Sequence, residues 1–153
     1  MRKVTIEASD DYLGMVQRYA TKLEKRIEYD ESPNVIARIE NLILVCYAGG
    51  FAQRKYAPRS RWRIGAAADH EMATKLFFHI CGEDEKVQYH YSSLLWRRAE
   101  LRVDWLWPEI TELASALLQE KTMEWGRVRQ ILSDAWAQKH GVDPAQLVVE
   151  LRR

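Results

Sequence analysis

The sequence predicts a mainly α domain, α+β in detail, with about five helices and a small β element at its N-terminus. Three observations carry this. Apolar residues recur three and four apart in several separate stretches between residues 33 and 137. The alternation that a strand needs is convincing only near the start, from Lys3 to Ala8. Helix punctuation is well placed, since Ser32-Pro33, Gly82 and Pro108 each stand at the edge of an apolar stripe.

In chain order, Val4 and Ile6 fall on one face and Thr5 and Glu7 on the other, which reads as a half-buried strand. Ser9-Asp10-Asp11 supplies a turn, and Tyr12 to Arg18 reads as a second strand that completes a short hairpin, whereas Ala20 to Ile27 alone would pass for a polar helix. Ser32-Pro33 is a strong helix start: the serine oxygen suits an N-cap, and proline at the first position has no amide to lose. Val35, Ile36, Ile39, Leu42, Ile43, Cys46 and Tyr47 then form the stripe of a central helix, which Gly49-Gly50 ends or loosens. Met72, Ala73, Leu76, Phe77 and Ile80 repeat the spacing, with Asp69 one turn earlier on that face and Gly82 as C-cap. Tyr91, Leu94, Leu95, Arg98 and Leu101 mark a longer amphipathic stretch from Val87 to Val103. Pro108 opens the next helix, with Ile110, Leu113, Leu117 and Leu118 on one face, and Thr122 caps a last one carrying Val128, Ile131 and Ala135. The parts are thus a β element over 3–18, a helical core over 33–137 and a tail over 142–153 begun by Asp143-Pro144.

Composition bounds the function classes. With 153 residues, 47% hydrophobic, 29% charged and a net charge of +1, the chain reads as a single ordinary globular domain over 1–153 rather than a disordered or membrane protein. No unbroken apolar run approaches the roughly 18 residues of a bilayer span, and Met1 to Glu7 lacks the apolar stretch of a signal peptide. A cytoplasmic location with no membrane segment is the expectation. Cys46 and Cys81 both sit in apolar helical patterns, so they read as buried free thiols and not as a disulfide framework.

Two groups of residues invite a chemical reading. Arg54, Lys55, Arg59, Arg61 and Arg63 crowd one stretch with no acid between Phe51 and Ile64. As a basic loop over 54–63 with Trp62 interleaved, it would meet phosphates by charge and stack on a base; as a connecting loop, it needs only to be solvated. The histidines do not assemble a metal site. His70 and His79 are nine positions apart, about 180° on a 3.6-residue period, and His90 and His140 have no carboxylate or histidine at helical pair spacing. Asp69, taken alone, suits a helix N-terminus, where backbone amides and the dipole favour a carboxylate.

The segments Ala48-Gly49-Gly50-Phe51-Ala52 and Gly65-Ala66-Ala67-Ala68-Asp69-His70-Glu71-Met72-Ala73-Thr74 together resemble part of the peptidase domain of the FtsH-like ATP-dependent zinc metallopeptidases. There a glycine pair closes one helix, and a Gly-Ala-x-x-Asp turn opens another. Lys3 to Ile6 and Leu13-Gly14 resemble that family's strands, and Ile110 to Ile131 is similar to its closing helical pair. The resemblance implies Asp69 as the third zinc ligand of a site whose histidines come from an H-E-x-x-H helix. These 153 residues contain no H-E-x-x-H. The two histidine ligands and the glutamate that would activate water are therefore missing, while a catalytic zinc needs three protein ligands, an open position and a base. A second departure is Gln53-Arg54-Lys55, basic where the family is acidic after its glycines.

The functional expectation is a peptidase-like domain that is catalytically inactive as it stands, with no catalytic residue and no cofactor of its own. It would act by binding a protein partner or by homo-oligomerisation through apolar surface left near the Val35 to Tyr47 helix. The alternative is a truncated zinc endopeptidase with upstream histidines and Asp69 as third ligand; ATP coupling would then come from another chain. Nucleic-acid or anionic-partner binding through Arg54, Lys55, Arg59, Arg61, Trp62 and Arg63 is the rival class.

Overall fold

Proline at the first position and an apolar stripe behind it start the longest helix. The Ser32 carbonyl accepts from the Val35 and Ile36 amides at 2.9 and 3.1 Å, and its side chain makes no cap bond, so the expected serine cap is made by the backbone. A computed structural model describes residues 3–8, 15–17 and 32–142. The expected turn at 9–11, residues 12–14 of the second strand, the stretch 20–27 and the tail from Asp143 lie outside the described residues. The fold class is the predicted one, mainly α with a small β element. Its helices are α1 (Pro33–Tyr56), the single turn α2 (Trp62–Gly65), α3 (Ala67–Cys81), α4 (Glu85–Trp105), α5 (Trp107–Glu120) and α6 (Trp125–His140), and its strands are β1 (Lys3–Thr5), β2 (Met15–Gln17) and β3 (Thr122–Glu124). Where the sequence reads as one domain, the contacts sort into two compact units, one within 21–105 and the other within 1–20 and 106–153.

In the first unit α1 packs against α2, α3 and α4. Its buried side chains, Val35, Ile39, Ile43, Tyr47 and Phe51 among them, follow the predicted stripe and carry it one turn further. The glycine pair does not end α1, which continues to Tyr56. Gly50 is buried, and a Cβ there would stand 3.2 Å from the Ala66 Cβ and 3.5 Å from Trp62 Cε3. Here glycine lets another segment approach a helix that goes on. Gly82, at φ 57°, does terminate α3, and its amide donates to the Phe78 carbonyl at 3.0 Å. The next helix is capped by a side chain: Asp84 Oδ1 accepts from the Lys86 and Val87 amides, each at 3.0 Å.

In the second unit β1 is the middle strand of a three-stranded antiparallel sheet, order β2-β1-β3. Thr122 does not cap a helix as expected. It lies in β3 opposite Thr5, with their hydroxyl oxygens 2.7 Å apart, and α6 starts only at Trp125. The pairing of β3 with β1 places Met123 beside Val4 in a core with Leu117 and Val128.

Helix α1 bears on the expectation of no membrane segment without deciding it. Although polar residues interrupt its apolar runs, its most apolar 18 residues have a mean hydropathy of 1.5, which by length and composition is enough to cross a membrane. A core helix passes the same test, and α1 is packed on three neighbours.

Candidate functional site at the start of helix α3

The two segments that carry the family resemblance meet in space. A Cβ at Gly49 would stand 3.8 Å from Asp69 Oδ2, Gly50 lies under Ala66 and Trp62, and a Cβ at Gly65 would lie 3.2 Å from Gln53 Oε1. The C-terminal half of α1 thus runs along the turn that opens α3. Ala66 is buried there, and its carbonyl accepts from the His70 amide at 2.9 Å. Asp69 falls in the first turn of α3 and is exposed, which corrects its assignment to the buried face. Among the described residues its carboxylate has no hydrogen bond or ion pair.

One neighbouring group registers that carboxylate. Burial pushes the Cys46 thiol above its usual range, and the negative charge of Asp69 adds to the effect. Tyr47 is raised as well, again first by burial. The adjacent His70 turns the other way, as successive helical side chains must. Its ring meets Tyr47 and Trp96 edge-on, at centroid distances of 5.6 and 5.5 Å, and its buried Nε2 has no partner among the described residues. His79 and His90 are exposed, and His140 stacks on Trp136 at 4.2 Å. Among the described residues no three of His, Cys, Asp or Glu come together as a metal cluster.

The basic stretch is not one loop. Arg54 and Lys55 belong to α1, where they pair with Glu100 and Asp104 of α4. Trp62 is only 7% exposed and packs on Gly50 and toward Trp96, so its ring cannot stack on a base. Arg63 lies over the Trp62 ring at 4.8 Å, a cation–π contact. Arg59 and Arg61 remain on exposed backbone between α1 and α2. The correction has a simple cause: a tryptophan within a charged run still buries its large apolar surface when a glycine opposite leaves room.

Two residues matter more than their sequence context suggests. Trp96 is the hub of the aromatic cluster, with Phe51 at 4.6 Å and Tyr47 at 5.0 Å. Its position beside Leu95 and one turn before Ala99 was the available signal. In the second unit Glu109 is buried in the first turn of α5, and Lys139 donates to its Oε1 at 3.4 Å. The companion Oε2 has no partner among the described residues. Comparison of the chain with family models, curated proteins and solved structures gives no match to any of them.

Proposed function

We propose that this chain is a domain related to the FtsH-like zinc metallopeptidases which, over these 153 residues, binds rather than hydrolyses. The observation that supports the reading is the apposition of Gly49 with Asp69 and of Gly50 with Ala66, because it joins the two segments on which the resemblance rests. Asp69 offers an exposed carboxylate without a partner among the described residues, as a metal ligand must. A hydrolytic zinc requires two further protein ligands and a base for its water, and the neighbouring His70 is committed to the aromatic cluster. What remains to the domain is binding, with a protein partner, a second copy included. In a longer natural chain with an H-E-x-x-H helix ahead of Met1, the same Asp69 would serve as third zinc ligand of an endopeptidase.

Metal analysis of the purified chain, run with a casein-cleavage assay, tests this reading. The expected result is no stoichiometric zinc and no chelator-sensitive cleavage. One zinc per chain with chelator-sensitive cleavage, both lost in Asp69→Asn, would overturn it.

A further inference from the structure

The connection from α1 to α3 has an inside and an outside. Its single helical turn, α2, buries Trp62 against Gly50. At about 100° per residue, Ile64 then points roughly opposite to Trp62, and Arg61 and Arg63 stand on its two flanks. Ile64 is 70% exposed, and Tyr56, the last residue of α1, is 83% exposed; among the described residues no large hydrophobic is more exposed than these two. They share one corner. A Cβ at Gly65 would lie 3.2 Å from Gln53 Oε1, and Tyr56 stands one turn beyond Gln53 on α1.

The free charges of that corner have one sign. From Phe51 to Ala68 the chain carries no acid. The neighbouring end of α4 brings Glu100 and Asp104, but Arg54 and Arg97 both pair with Glu100, and Lys55 pairs with Asp104. The next acid along the chain, Asp69, lies beside Gly49, about 10 Å along α1 from Tyr56. Among the described residues Arg59, Arg61 and Arg63 make no ion pair. Arg63 meets the Trp62 ring at 4.8 Å, which orders its guanidinium without neutralising it.

An exposed aliphatic between arginines, with a tyrosine beside it, matches the zones of an anionic bilayer surface: arginine meets lipid phosphate, tyrosine sits among headgroups, and the aliphatic reaches the acyl boundary. A nucleic-acid backbone would use the arginines but would leave Ile64 and Tyr56 facing phosphate, and the buried Trp62 cannot stack on a base. We propose that this corner docks reversibly on an anionic phospholipid surface, with Ile64 entering it and Arg59, Arg61 and Arg63 meeting the lipid phosphates. The docking goes beyond the protein-binding role proposed above and does not depend on the Asp69 site.

Co-sedimentation of the full chain with phosphatidylcholine vesicles, with and without phosphatidylserine, tests it. Each arginine near an anionic surface is worth about fivefold in partitioning, so three predict roughly a hundredfold preference for the serine-containing vesicles, lost at high salt. Arg61→Glu is expected to lower binding by about tenfold or more, whereas Arg129→Glu, an equal change of charge at an exposed position of α6, leaves it within about twofold. Ile64→Ser is expected to weaken binding several-fold at an unchanged melting temperature, since the side chain is already in water. Absence of vesicle binding, equal binding to both vesicle types, or a loss in Arg129→Glu as large as in Arg61→Glu would overturn the proposal. Parent-like binding by Ile64→Ser would mean phosphate recognition without insertion and overturn it as well. Retardation of duplex DNA without vesicle binding would assign the corner to nucleic acid instead.

Discussion

Leu94 and Leu95 are adjacent, identical in chemistry and opposite in fate. Leu95 is fully buried in the unit built on α1, while Leu94 is 53% exposed. Their Cβ atoms leave the helix about 100° apart, enough to put one among the side chains of its own chain and the other in water. The difference teaches that an apolar residue on a helix records a need for a partner without saying which partner. On α4 the inner face is answered by α1 and α3, while Leu94 on the outer face stays 53% exposed.

The largest effect that separates the two faces is on stability. Leu95→Ala should cost about 2–5 kcal/mol through lost burial and an unfilled cavity. Leu94→Ala, at low concentration, should stay within about 0.5 kcal/mol of the parent. Denaturant unfolding of both variants measures the contrast, and equal losses would break it.

That contrast also explains what the sequence could disclose. Periodicity found every long helix, because each has a buried stripe at helical spacing, and Ser32-Pro33 and Pro108 marked their starts correctly. It could not divide α4 into faces, since Leu94 and Leu95 both fit a broad stripe. The extension of α1 past Gly49-Gly50 was hidden because Gly50 answers to Trp62 and Ala66, which follow it across a turn. The strand at Thr122 was hidden because its partner Thr5 lies 117 positions away. Of the candidate site, Asp69 in the first turn of α3 was legible from the Gly65-Ala66 turn. Its exposure was not, because the apolar pattern behind it begins only with the buried Ala73. Trp62 was misread because local charge masks burial when the packing partner is remote.

A smaller effect lies at the margin between the faces. Tyr91 is half-buried on α4, donates to Glu40 of α1, and has its phenol pushed up to about 12, first by burial and then by the hydrogen bond and charge of Glu40. A folded pKa above the usual 10.0 stabilises the fold fully below about pH 10, and the contribution is lost as pH rises through about 12. Alkaline titration followed by phenolate absorbance should show late-titrating phenol, and Tyr91→Phe should lose the component near pH 12. Its appearance near pH 10 would place Tyr91 with the outer face.

The division of labour between the faces is tested most directly by sedimentation velocity of the parent and Leu94→Glu over a range of concentrations. A carboxylate at this position opposes burial against any partner and is left in water by the monomer. The parent should pass from monomer to dimer as concentration rises, and Leu94→Glu should remain monomeric throughout with an unchanged melting temperature. A Leu94→Glu variant that dimerises as readily as the parent, or a parent that stays monomeric at every concentration, would contradict the account.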